Sequence, residues 1–345
     1  MISTLIKHSA LSAKVYGLYG QRLKLDDFEE LLKKRSVVEI TEFLKDTPAY
    51  SAPLHGINEK LVHRGQIESI LKRNLFEEYI KLYKFAKGND KKTLEILFSK
   101  YEIEQILCFI RLFRANITNE FIYTIEDFII KHSNIDFAKM SNCKTFDEFL
   151  SCLIGTDYYS ILKNYKFNSN TDFSYIETIL YSYYYSNLIK KALPLFKGKI
   201  KDLLYKSLGS QIDIINITRI FRLKEYYNSE PSNINLHIIP IYYNINKFTI
   251  NNMINSKTSQ ELMDVINNTV YSKLFSNSKF QYIKQYLYNF INIFSKLIMR
   301  SGIPSINVSI AYLNLKDIEI NNIVAIIEGK RYGMSVEDIK KHLLV

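Results

Sequence analysis

One short string recurs three times along this chain, and it fixes where three helices must begin. It reads Arg35-Ser36 with Glu39, Lys144-Thr145 with Glu148, and Lys257-Thr258 with Glu261, each copy about a third of the 345 residues from the next. Each is a capping box: the hydroxyl of Ser36, Thr145 or Thr258 accepts from the third amide of the new helix, and the glutamate reaches back to the cap's own N–H. From each cap the apolar residues recur at helical spacing: Ile40, Phe43 and Leu44, then Phe149, Cys152 and Leu153, then Leu262, Val265 and Ile266. One face of each helix is therefore expected in a core. Eleven residues beyond each cap stands a threonine (Thr47, Thr156, Thr269), followed within three residues by Tyr50-Ser51, Tyr159-Ser160 or Tyr271-Ser272. The helices are read as ending there, each closed by a tyrosine whose ring packs inward while its hydroxyl stays in water.

A second string follows in each copy: Glu102-Ile103-Glu104-Gln105-Ile106, Asp213-Ile214-Ile215-Asn216-Ile217 and Glu319-Ile320-Asn321-Asn322-Ile323. Acid and amide three apart share a helix face, so they can bond each other or a neighbouring backbone group while the isoleucines turn inward. Basic residues continue each string: Arg111 and Arg114, then Arg219, Arg222 and Lys224, then Lys330 and Arg331. These seven are the candidate contacts with a partner, set against the simpler reading of solvated helix charges. The chain thus reads as three similar helical domains, 1–115, 116–230 and 231–345, with Asn, Ser and Pro collecting at the junctions. Three copies suggest pseudo-threefold symmetry.

Composition narrows the function classes. Eleven glycines and six prolines leave little turn chemistry for a many-stranded sheet, which makes the fold class all-α. A net charge of +11 favours an anionic partner, but the basic residues are dispersed as on a solvated helical surface. A basic helical nucleic-acid-binding protein is the alternative reading; it needs a Lys/Arg stripe or an aromatic stacking platform, and neither stands out. No nucleic-acid partner is expected. Cys108, Cys143 and Cys152 form no paired framework and read as free thiols of a reducing compartment. His8, His55, His63, His132, His237 and His342 never take metal-ligand spacing, and around Lys197-Gly198-Lys199 the glycine and hydroxyl of a phosphate loop are missing. No catalytic residue, metal or cofactor is assigned. No stretch reaches the roughly 18 apolar residues of a spanning helix, so the chain is expected to be soluble by itself.

The string from Glu319 through Gly329-Lys330-Arg331-Tyr332-Gly333 to Ser335-Val336-Glu337-Asp338-Ile339, with the Thr and Tyr-Ser repeats upstream, resembles the C subunit of bacterial and archaeal V-type ATPases, related to the eukaryotic d subunit. Ala10 to Gly17 is similar to that family's opening helix, so the resemblance spans essentially the whole chain. Glu328 departs from the repeat, standing where the second copy has Arg222. The resemblance implies a funnel of three helical domains about a pseudo-threefold axis, seated on the cytoplasmic face of the membrane proteolipid ring and receiving the tip of the central shaft. It implies a non-catalytic central-stalk subunit that passes torque from shaft to ring for proton or sodium transport. Its partners would be the shaft subunits, the ring and, peripherally, the cytoplasmic membrane face.

Overall fold

The computed structural model describes residues 2–58, 64–125, 127–164, 173–275 and 283–344, and no strand occurs among them. The fold is all-α, as composition requires. In chain order the helices begin with α1 (Ile2–Tyr19), α2 (Leu25–Lys33), α3 (Val37–Lys45), α4 (Arg64–Phe85), α5 (Gly88–Arg114) and α6 (Asp127–His132). They continue with α7 (Phe137–Met140), α8 (Phe146–Cys152), α9 (Asp157–Leu162), α10 (Phe173–Asn187), α11 (Gly198–Glu225) and α12 (Pro231–Leu236). The last six are α13 (Lys247–Asn255), α14 (Ser259–Asn267), α15 (Ser272–Phe275), α16 (Ile283–Arg300), α17 (Ile306–Arg331) and α18 (Val336–His342).

The helices fall into two compact units, residues 1–91 with 284–345, and residues 92–283. In the first unit α17 is the central helix, packing against α1, α4, α3 and α18 and leaving a stripe through Asp317, Asn321 and Glu328 partly open. Its Ile320, Ile323, Ile326 and Ile327 enter one core with Phe28, Leu31, Ile40 and Leu44, so the end of the chain completes the core begun by its first fifty residues. Each such side chain is worth about 1.5–3 kcal/mol when removed from water. In the second unit α11 takes the corresponding central place, with Ile212, Ile214, Ile217 and Ile220 fully buried and α12, α13 and α14 packed on it. On α5 of the same unit Phe109 stacks on Phe149 of α8 at 4.9 Å between ring centroids and meets Phe121 edge-on at 5.3 Å.

All three caps form. The Ser36, Thr145 and Thr258 hydroxyls accept from the N–H of Glu39, Glu148 and Glu261 at 3.2, 3.2 and 3.1 Å. The glutamates reach one residue further than expected, to the N–H of Arg35, Lys144 and Lys257 at 2.9, 2.7 and 2.6 Å. Of the three caps, Thr145 alone also donates its own N–H, at 3.3 Å. The extended cap leaves the preceding amide equally in need of an acceptor, and the flexible carboxylate takes that one. The helices stop two to four residues before the threonines rather than after them. Thr47, Thr156 and Thr269 instead donate their hydroxyls to the carbonyls of Leu44, Leu153 and Ile266, each at 2.7 Å, supplying a donor to the last turn.

The long helices α5, α11 and α17 also share an ending. Each is followed by a left-handed residue, Asn116, Asn228 or Gly333, with φ of 58°, 45° and 65°. The next residue returns its N–H to the helix, from Ile117 to Leu112, Ser229 to Leu223 and Met334 to Gly329. On α11 a glycine is needed for a different reason: a Cβ on Gly209 would run into the Tyr243 ring. Gly209→Ala is therefore expected to destabilise by about 1–3 kcal/mol through overpacking, despite the better helix propensity of alanine. A lowered urea midpoint is the check.

Candidate partner interface

The two repeated strings meet in space, and they do so out of step. Tyr50 of the first copy donates its hydroxyl to Glu319 of the third at 2.7 Å, and Tyr271 of the third donates to Asp213 of the second at 2.9 Å. In the middle copy the hydroxyl that reaches Glu102, at 2.8 Å, belongs to Tyr158, while its neighbour Tyr159 is half-buried. Each acid is thus bonded by the tyrosine of the following copy, and the last acid by the first tyrosine. The hydroxyls are not wet: Tyr50 is fully buried and Tyr158 and Tyr271 nearly so. Burial above all, with the adjacent carboxylate adding to it, raises the pKa of all three phenols, which keeps them protonated as donors.

Each acid also holds the loop that precedes its tyrosine's helices. Asp213 accepts from the N–H groups of Tyr243, Asn244 and Ile245 at 3.3, 2.8 and 3.3 Å. Burial still holds its carboxyl above the usual range, with those donors pulling the other way. Glu319 accepts from the Leu23 N–H at 3.1 Å, and Glu102 from the Ser133 hydroxyl at 2.5 Å. The amides three residues on act as backbone clamps. Asn216 bonds both the N–H and the carbonyl of Ile239, at 2.9 and 3.0 Å, and Asn322 does the same to Leu344 at 2.9 and 3.2 Å. In the first copy Gln105 is half-buried.

Around Glu319 the lock grows into a buried charge cluster. Lys316 Nζ lies 2.9 Å from Glu319 and 4.0 Å from Glu78, and sits 4.0 Å from the centre of the Tyr50 ring. Arg22 Nε lies 3.0 Å from Glu319, and Tyr312 donates to Glu78 at 2.5 Å. Two carboxylates face two cations, so each buried charge is compensated and removal of one partner strands the others. Burial, partly offset by Lys316 and Tyr312, holds the Glu78 carboxyl above its ordinary value.

The seven basic candidates divide. Lys224 donates to the carbonyls of Ile254 and Ser256 at 2.7 and 2.6 Å, and Lys330 to that of Leu32 at 2.5 Å. Each lies eight residues after its clamp asparagine and closes the end of a short helix, α13 or α2. Arg219 is half-buried and donates to the His237 carbonyl at 3.2 Å. Burial lowers the pKa of both Arg219 and Lys224. Arg111, Arg114, Arg222 and Arg331 are exposed. Three of them lie over rings, Arg111 over Phe173 at 5.5 Å, Arg222 over Tyr227 at 5.5 Å and Arg331 over Tyr332 at 5.7 Å. Sequence spacing could not separate the two sets, because only the tertiary fold shows which lysine finds a helix end.

Among the described residues no cluster of His, Cys, Asp and Glu could hold a metal; His63 lies outside them. No helix among them is long and apolar enough to cross a membrane. Cys108, Cys143 and Cys152 are free thiols. The buried carboxylates at Asp213 and Glu319 lock helices together, and of the seven basic candidates the four arginines at 111, 114, 222 and 331 remain on the surface of an all-α fold. The chain belongs to the ATP synthase (C/AC39) subunit family, whose model matches residues 11–342. On that membership it is a non-catalytic subunit of an ATP synthase complex. It is similar to the A-type ATP synthase C subunit of Methanosphaera stadtmanae, 24% identical with 96% of this chain and 86% of the relative covered. The corresponding C subunits of Methanocaldococcus jannaschii (22%, covering 100% and 88%) and Archaeoglobus fulgidus (25%, covering 96% and 95%) are similar along their length as well.

Two outcomes follow for the locks. Tyr50→Phe is expected to cost about 1–3 kcal/mol by leaving a buried carboxylate short of a donor, Tyr158→Phe about 1 because Glu102 is partly hydrated, and Tyr159→Phe under about 0.5. Urea midpoints of the three variants check that order. The Glu78 carboxyl is raised in the fold, so the folded state binds more protons and this group's contribution to stability grows as pH falls from 7 toward its ordinary value. The stability difference between the wild type and Glu78→Gln is therefore expected to shift in favour of the wild type between pH 7 and pH 5.

Proposed function

We propose that this subunit is the central-stalk piece that joins the rotating shaft of a rotary ATPase to its membrane proteolipid ring and passes torque between them. The relatives' name, the C subunit of an A-type ATP synthase, supports a place in such a complex. The observation that carries the mechanical part is the cyclic order of the tyrosine–carboxylate locks. Each lock stiffens one helix group by fastening the long helix of one third of the sequence to the short helices of the next, the last acid to the first tyrosine, and stiff groups suit a part that bears load. We extend this to three modules about a pseudo-threefold axis, the funnel that the repeat suggests. Its thirds, 1–115, 116–230 and 231–345, are then sequence units, and each module takes its long helix from one third and its short helices from the next.

In this reading Arg111, Arg114, Arg222 and Arg331 are the partner contacts, and Arg219, Lys224 and Lys330 stiffen the modules that carry them. The protein would sit peripherally on the cytoplasmic face of the membrane, where a net charge of +11 suits an anionic leaflet. Exposed arginines beside aromatic rings are common anchors of protein interfaces. Removing the chain from the assembled ATPase is expected to leave ATP hydrolysis in the catalytic head while abolishing ion transport; pumping that persists without it overturns the proposal. Arg222→Glu with Arg331→Glu is expected to weaken capture of shaft or ring subunits at least tenfold with an unchanged melting temperature. Lys224→Met should lower the melting temperature instead.

A further inference from the structure

The three locks are not equally closed. At Glu319 the carboxylate is fully buried and the chain supplies its own cations, Arg22 Nε at 3.0 Å and Lys316 Nζ at 2.9 Å. At Asp213 three backbone N–H groups and a tyrosine occupy the carboxylate. Among the described residues only the Ser133 and Tyr158 hydroxyls are within bonding distance of Glu102, and no lysine or arginine nitrogen lies within 4.0 Å. This carboxylate is part-exposed and lines a cleft of about 630 Å³ together with Ser99, Thr156, Tyr158 and Tyr183.

The charges around the cleft leave Glu102 uncompensated. Asp157 accepts from the Tyr183 hydroxyl at 2.5 Å and faces Lys191 at 3.9 Å. Lys92 and Glu95, exposed at the rim on α5, carry opposite charges that cancel. Tyr158 and Tyr183 meet edge-to-face at 5.7 Å, and the half-buried Tyr183 offers a ring to the cleft that Glu102 also lines. A carboxylate next to aromatic rings is the setting that favours a guanidinium, which can pair in plane and stack on a ring. The homologous acid at the third lock already holds one, that of Arg22.

We propose that the Glu102 cleft binds an arginine side chain of a partner polypeptide, which supplies in trans the cation that Arg22 supplies to Glu319 within the chain. The site goes beyond the torque-transmitting role and does not depend on it, because its recognition chemistry lies wholly within residues 92–195.

N-acetyl-arginine amide, titrated into the full-length protein and followed by saturation-transfer NMR and calorimetry, tests the proposal without the rest of the complex. Saturable binding is expected, weakened at least about tenfold, or about 1.4 kcal/mol, by Glu102→Gln and for the neutral N-acetyl-citrulline amide. N-acetyl-lysine amide should bind more weakly than the arginine probe. Lys92→Glu, at an exposed position that does not threaten the fold, should tighten binding about threefold by removing a like charge. No saturable binding, equal binding by Glu102→Gln, a lysine probe bound as tightly, or no effect of Lys92→Glu would each overturn the assignment.

Discussion

A carboxylate taken out of water costs several kcal/mol unless donors converge on it, and this fold sets an acid in each of its three repeated long helices, two of them buried, Asp213 and Glu319. At Glu102, Asp213 and Glu319 the same requirement is met in the same way: a tyrosine hydroxyl from the next copy and a polar group of the loop before it. Because those donors lie on different segments, each acid fixes where a loop, a pair of short helices and a long helix stand with respect to each other. The capping boxes, the threonine closures and the clamp asparagines then shape the pieces that the acid has positioned. Polar groups of this kind add little net stability over a well-packed apolar core, yet they admit only one register.

The displacement of the locks by one copy explains how both ends of the chain come to share one unit. The long helix α17 arrives at the end of the sequence with Glu319 and Asn322 in place, and its loop and short helices are those at the start, residues 22–45. Leu344, clamped by Asn322, and Leu23, bonded to Glu319, are the two sides of a break in an otherwise repeated path. In the second copy the same path runs unbroken from Ile239 to Asn244.

Much of this was legible in the sequence because it is local. The caps at Ser36, Thr145 and Thr258 need only residues three and four apart, and the asparagines at 216 and 322 stand at constant distance from their acids. What the sequence could not show is contact between distant segments. Spacing places the tyrosine hydroxyls in water, whereas those of Tyr50 and Tyr271 complete the buried carboxylates of Glu319 and Asp213. The sequence singled out Tyr159 over Tyr158, because spacing from Thr156 matches the first copy while spacing from Thr269 to Tyr271 matches the alternative. It grouped Lys224 and Lys330 with the surface arginines, since a long basic side chain looks the same in sequence whether it meets water or a helix end.

One carboxylate late in the chain, Glu319, organises the short helices near its beginning. Native-state hydrogen exchange of the Glu319→Gln variant tests this most directly. Amides of α2 and α3 are expected to lose protection together with those of α17, while amides of α8 to α14 keep theirs. Loss confined to α17, or spread equally through both units, would contradict it.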